Sequence, residues 1–511
     1  MTSPASGAAA RVRYVKNGTF RVALASDPGN LFVYQNVSTT GLDLFSYTYD
    51  TLVNYSSSGK LVSQLAYKWT DTPTRVTFFL RRGIRCGDGT QLTARDVAAD
   101  FDYVLNPKNA SPWLGVSVPA SGASVSADNG ARTVTVRTST PYSLLLETAG
   151  PLMPIACPAV LAHPSAYLHK TDGTGPYALS SANPDSSYKL TRRPDYHWGP
   201  GGASVTTRMP KRVILEVIAD PTTETDLLLE DQLNVVELDG PNRPRLVHAH
   251  GVTLDKVQEP SPWLFLDQRR GHATADPVVR EALTLAINLN TLEKVVTGGL
   301  GGPGTSLVPQ LSNPCRYNSV KGSFPASNPG KAKRILRSDG WSPGADGVLQ
   351  KDGKPLDLTL LNATDEGAAV EAANEYMQHE WDSIGAHVTL DDTSTTALIG
   401  TLFGPGNWDA SLVGIGVDVP SQLIGFLSGA APVENFAGIH SGSYVVATDH
   451  ALQSVGTASC RYWKDAEQIL FRHYDLIAFA NNPIYVGLQG ARATVSFAGL
   501  SPTSVRLIKN S

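Results

Sequence analysis

Strand-length runs of β-branched and aromatic residues are interspersed along the chain with segments of helical periodicity. Residues 20–25, 76–80, 131–138, 213–218, 234–238 and 356–361 read as strands. Thr93 stands as a helix cap with Asp96 three residues on, close to a capping box, and Val97, Phe101, Val104 and Leu105 then fall on one apolar face. Val370, Ala373, Met377 and Trp381 mark a second such face, ended by Gly385. This face reads as core, with no sign of a cofactor box. Residues 222–231 and 463–476 predict further helices, and residues 141–146 begin another. Turn chemistry such as Gly87-Asp88-Gly89 separates the elements, since glycine reaches positive φ without a Cβ clash.

Length and charge narrow the picture. A chain of 511 residues is too long for one core and predicts two or three packed units. With 41% apolar and 17% charged residues, and 46 glycines and 34 prolines as punctuation, the composition is that of a soluble globular protein. A formal charge of -4 gives no reason to expect nucleic acid as a partner, and no basic run reads as a membrane patch. No apolar stretch approaches the roughly 20 residues of a spanning helix. The opening Met1-Thr2-Ser3-Pro4-Ala5-Ser6-Gly7 lacks an apolar signal core, which fits either a cytosolic protein or one whose secretion signal has been removed.

Catalytic signatures are missing from the sequence. The eleven histidines are scattered: His248 and His250 lie two apart, and His379-Glu380 lacks the second histidine of a zinc-protease helix. There is no nucleophile elbow or nucleotide fingerprint. The glycine-rich loop 298–304 lacks the lysine and following helix of a phosphate cradle. Four cysteines permit three pairings, and none forms a C-x-x-C, which argues against a zinc or thioredoxin-like site. No cofactor is expected.

One long ordered stretch carries a resemblance. Leu65-Ala66-Tyr67-Lys68-Trp69, then Phe78-Phe79-Leu80-Arg81-Arg82-Gly83, then Asp88-Gly89-Thr90-Gln91-Leu92-Thr93-Ala94-Arg95-Asp96-Val97 resemble the signature of bacterial family 5 extracellular solute-binding proteins, the oligopeptide- and dipeptide-binding components of ABC importers. Gly173-Thr174-Gly175-Pro176-Tyr177, the segment 276–288, and the block from Lys331 through Gly340-Trp341 to Asp346-Gly347 resemble later family motifs. The resemblance implies an α/β, two-lobed periplasmic-binding-protein fold of the class II, Venus-flytrap kind, with an extra subdomain inserted in the first lobe. The expected division is 1–260 plus 483–511 for lobe I, with the insertion at about 46–174, and 265–482 for lobe II. The hinge is expected near 261–264 and 482–486, bringing Trp263 and Tyr485 to the crossing. An exported protein would oxidise its cysteines. The expected pairs are Cys86–Cys157 and Cys315–Cys460, neither crossing the hinge, with four free thiols as the alternative.

The resemblance also implies a function: capture of a peptide in the interlobe cleft and delivery to membrane permease subunits, by a monomer without enzymatic activity. The setting would be the extracellular face of the membrane or the periplasm, with a lipid anchor in the precursor. Residues 409–420 should carry the binding. Gly414 and Gly416 would let another backbone approach. Asp418 falls on the family's aspartate for the peptide's amino terminus, where a ligand ammonium would offset the cost of a buried acid. A strand-end acid capped by local amides is the alternative. Ile415 and Val419 replace a tryptophan and a tyrosine of the family pattern, and Leu412 and Phe403 stand where some members carry arginines. Ser38 and Thr39 fall in a segment that pairs with ligand as an extra strand in the family, or else form a polar loop. Trp113 is a candidate pocket wall, though a buried tryptophan is more often core. Asn362 and Asn435 match cleft asparagines, although asparagine in a turn commonly serves local needs. Competing cargoes on the same fold are an amino acid, a nickel chelate or a sugar; a peptide hydrolase and a non-transport sensor or chaperone are further alternatives.

Overall fold

A computed structural model describes residues 13–509 apart from 239–241, 258–259, 311, 432–433 and 497–498. The leader Met1–Gly7 lies outside the described residues. Two large sheets organise the chain. The first has seven strands, in the order Val252–Val257, Ile484–Gln489, Val235–Leu238, Thr19–Leu24, Arg212–Val217, Ser187–Arg192 and Tyr177–Asn183. Thr19–Leu24 runs parallel to both its neighbours, and the remaining pairs are antiparallel. The second has five, in the order His387–Thr393, Asp357–Ala363, Ala410–Val413, Trp263–Leu266 and Leu476–Ile477. These sheets define a first and a second lobe.

Between the first strand and Tyr177–Asn183 the chain builds a separate four-stranded antiparallel sheet, ordered Ala66–Thr72, Arg75–Leu80, Thr133–Thr138 and Ala123–Asp128. Helix Ala94–Leu105 lies against it, burying Val97, Phe101 and Val104. Thr93 Oγ1 accepts from the amide of Asp96, and the Asp96 carboxylate accepts from the amide of Thr93, so the capping box is complete.

The second sheet is buried on both faces, and single strands show why. In Trp263–Leu266, Leu264 and Leu266 join one core with helices Pro277–Ala286 and Ala368–Ser383, while Trp263 and Phe265 face another with Leu402, Trp408 and Phe436. Successive side chains of a strand point to opposite faces, so four apolar residues in a row require two covers. Val370, Ala373, Met377 and Trp381 supply one of them. Gly385, at φ 100°, turns the chain out of that helix.

Some elements depart from the sequence reading. The helix expected over 463–476 runs from Cys460 to Arg472; Tyr474 then turns in the left-handed region at φ 54°, and Leu476–Ile477 joins the second sheet. Residues 38 and 39 do not form an added strand. Ser38 caps helix Thr39–Thr48, its Oγ accepting from Gly41 N–H at 3.1 Å, and Asn36 Oδ1 accepts from Ser38 N–H at 2.9 Å. Capping chemistry wins over extension there.

The lobes are joined by two crossings that touch one another. Pro260 and Asn481 form an antiparallel bridge, and Ser261 N–H donates to Ala480 O at 3.4 Å. Cys86 and Cys157 are bonded near the four-stranded sheet, with Cα atoms 5.8 Å apart. Cys315 and Cys460 are bonded in the second lobe, 5.0 Å apart. This is the pairing expected from the sequence.

Candidate functional site

The second lobe meets the inserted region of the first along a seam, and Asp418 stands on it. Strand Ala410–Val413 ends there, and the chain runs on through Gly414 and Gly416, both exposed, with open space where a Cβ would lie. The main chain of Asp418 is fixed on both sides. Its N–H donates to Gln422 Oε1 at 2.7 Å, and its carbonyl accepts from Ser312 Oγ at 3.0 Å. Asp418 as a residue is half-buried.

The first lobe supplies Tyr55, Val116, Ser143 and Leu144 to the same seam. Gln422 Nε2 donates to Val116 O at 2.9 Å, and Gly456 N–H to Ser143 O at 3.0 Å. Leu144, fully buried, sits in an apolar cluster with Cys315, Val419, Ala451 and Trp463 of the second lobe. Tyr55 hydroxyl donates to Glu147 O at 3.4 Å. Burial raises the Tyr55 phenol well above its ordinary value; the charges of Glu147 and Asp418 push it further, and Arg316 opposes them. Tyr55 therefore senses charges from both lobes at once. Burial also pushes Glu147 up to about 7, with Asp71 adding to the shift. An acid with a fixed backbone, a tyrosine and a guanidinium in one partly dry seam can orient a polar solute and balance a positive group on it.

Sequence reasoning did not single out Tyr55, Val116, Glu147, Arg316 or Gln422. Only Glu147 leaves a signal, as a lone acid directly after Leu144-Leu145-Leu146.

The other residues named from the sequence lie elsewhere. Trp113 is 4% exposed in the first lobe's core, and its indole N–H donates to Val33 O at 2.8 Å, so it is no pocket wall. Asn362 is consumed internally: its amide donates to Asp392 Oδ1 at 2.8 Å, and its oxygen accepts from Asn374 at 2.7 Å. Asn435 braces its own loop, donating to Ile439 O and accepting from Ile439 N–H. Ser38 and Thr39 open a helix, as described. Trp263 is core in the second lobe. Tyr485 lies in strand Ile484–Gln489 of the first sheet: the Arg243 guanidinium lies 3.8 Å from its ring centroid, and its hydroxyl donates to Leu300 O at 3.3 Å. Among the described residues, no group of three or more His, Cys, Asp and Glu is placed to hold a metal ion, and no helix is long and apolar enough to cross a membrane.

A family model described as bacterial extracellular solute-binding proteins, family 5 Middle, matches residues 60–431. The nickel-binding periplasmic protein of Escherichia coli K12 is 28% identical over 366 residues, covering 68% of this chain and 66% of that protein. The oligopeptide-binding protein OppA of Lactococcus lactis subsp. lactis is 23% identical over 359 residues, covering 61% and 57%. The chain thus spans less than two thirds of the length of these curated relatives. Among solved structures, the substrate-binding protein CtaP of Listeria monocytogenes superposes with a TM-score of 0.78 at 16% identity, over 96% of this chain and 100% of that one. The oligopeptide-binding protein AppA of Bacillus subtilis, in complex with a nonapeptide, superposes at 0.70 and 18%, over 97% and 100%. At such identities the likeness is one of fold.

Proposed function

The chain belongs to family 5 of the bacterial extracellular solute-binding proteins, and from that premise we propose that it captures peptides between its lobes and delivers them to an ABC permease. The observation that carries the reading is Asp418, a half-buried acid whose backbone is pinned by Gln422 and Ser312, standing where first-lobe Tyr55 meets the second lobe. The ligand's α-ammonium would approach Asp418 alongside the contacts that acid already makes, and the open path beside Gly414 and Gly416 would receive the first residues of the peptide. Enclosure removes water and strengthens that attraction. Only a closed form touches the ligand from both sides, so binding favours closure by bending near 261–264 and 482–486. No reaction is catalysed in this reading. The protein works as a monomer outside the cell membrane, held by a lipid on its precursor.

Native mass spectrometry of the protein as purified, followed by titration with a free-amine peptide and its N-acetylated form, tests the reading. A peptide adduct and a preference for the free amine support it; a cargo without an amino group removes it. The likeness to a nickel-binding protein favours a second reading, in which the seam takes a metal chelate. Metal analysis of the same sample separates the two.

A further inference from the structure

A separate cavity of about 380 Å³ lies on the first lobe, lined by Tyr67, Leu80, Arg81, Arg82, Arg132, His197 and Trp198. None of the residues that reach across the seam lines it. Three arginines line this space, with no carboxylate residue among the lining. Among the described residues, none of the three arginines makes an ion pair.

Two of the three arginines are held in place. Arg81 Nε donates to Gln64 O at 2.7 Å and its Nη2 to Ser63 Oγ at 2.8 Å, which leaves Nη1. Arg132 Nε reaches Leu80 O at 3.4 Å, which leaves both Nη atoms. Arg132 holds the left-handed backbone at φ 53°, an uncommon conformation for a residue with a side chain, and its carbonyl accepts from Leu80 N–H at 2.9 Å. Arg82 is exposed. The floor is Trp198, 1% exposed, with its indole N–H tied to Asp50 Oδ2 at 2.9 Å. His197 turns Nδ1 to Asp195 O at 2.7 Å, so Nδ1 carries the proton and Nε2 is left for a ligand. Tyr67, 49% exposed, offers an aromatic face at the rim.

Guanidinium forks match phosphoryl oxygens in geometry, and three of them outnumber the charge of a single carboxylate. A phosphate monoester brings about −1.5 to −2 charges and three acceptor oxygens. The volume falls within the ~300–1,000 Å³ of small-ligand sites. We propose that the cavity of Arg81, Arg82 and Arg132 is a binding site for a phosphoryl group, distinct from the interlobe seam. The group could arrive on a soluble phosphate ester or on a lipid headgroup.

Calorimetric titration of the full chain with glycerol phosphate, and flotation with vesicles of phosphatidylglycerol against phosphatidylcholine, test the site. Arg82→Glu is the informative variant, since Arg82 is exposed and the charge reversal leaves the bonds of Arg81 and Arg132 intact. Saturable 1:1 binding of glycerol phosphate, or retention on the anionic vesicles alone, weakened about tenfold or more by Arg82→Glu and unchanged by Asp418→Ala, supports the site. The arm that responds identifies the soluble or the membrane source. No binding in either arm overturns the proposal. So does sensitivity to Asp418→Ala rather than Arg82→Glu, or equal affinity for acetate.

Discussion

Gln422 of the second lobe donates its side-chain amide to the carbonyl of Val116 of the first at 2.9 Å, while its oxygen accepts the amide of Asp418 at 2.7 Å. One side chain thus ties the lobe contact to the acid proposed to hold the ligand. Gln422→Leu keeps the bulk and leaves Val116 O and the amides of Asp418 and Val419 without this partner; of the three, the Val116 bond spans the lobes, so the contact between them loses about 1–3 kcal/mol. Small-angle scattering should show a more open average shape, with the thermal midpoint nearly unchanged. A large fall in that midpoint would mean that Gln422 holds up the second lobe itself.

Asp418→Ala should weaken binding of a free-amine peptide by about tenfold or more, while its N-acetylated form loses little. Titration calorimetry with the paired ligands measures the difference. Equal losses for both would remove the ammonium from the account.

Glu467 makes stability depend on pH. Burial pushes its carboxyl up to about 7, although Ser319 Oγ, Tyr317 hydroxyl and Leu307 N–H all donate to it. The unfolded value is about 4.3. Between these values the folded chain binds the extra proton, so this group's contribution is present below about pH 4.3 and is lost as pH rises through about 7. Glu147 at about 7, and Asp50 at about 6, act in the same direction. The thermal midpoint should therefore fall from pH 5.5 to pH 8, and Glu467→Gln should flatten part of that fall. An unchanged slope in the variant would place the dependence elsewhere.

The Cys315–Cys460 bond closes a loop with a sequence separation of 145 and anchors the cluster that receives Leu144. Replacing both cysteines by serine should cost about 3–5 kcal/mol by the loop-closure estimate. Urea denaturation followed by tryptophan fluorescence reads the loss.

Local chemistry was legible from the residues alone. The Thr93–Asp96 cap, the face from Val370 to Trp381 and the glycine at 385 each depend on neighbours a turn or two away. The start of helix Thr39–Thr48 was hidden because Thr39, Thr40 and Gly41 are weak helix formers. The roles of Trp113 and Asn362 were not legible for another reason: their partners Val33 and Asp392 lie 80 and 30 residues away, and only the fold brings them together. Tyr55, Glu147 and Gln422 share that property, since a seam between lobes has no signature along one strand of sequence. Asp418 could be singled out because an acid follows an apolar run with two glycines and because it falls on the aspartate of the family pattern.

The bridge between Pro260 and Asn481 gives the connection between halves the mechanics of a flat spring. Two ribbons fastened edge to edge flex across their thin direction and resist sliding past one another. In the closure proposed above, that fastening would hold a swing of the halves close to one axis and would bring Gln422 back opposite Val116. A receptor built so can release its guest and be ready for the next without searching for its own alignment.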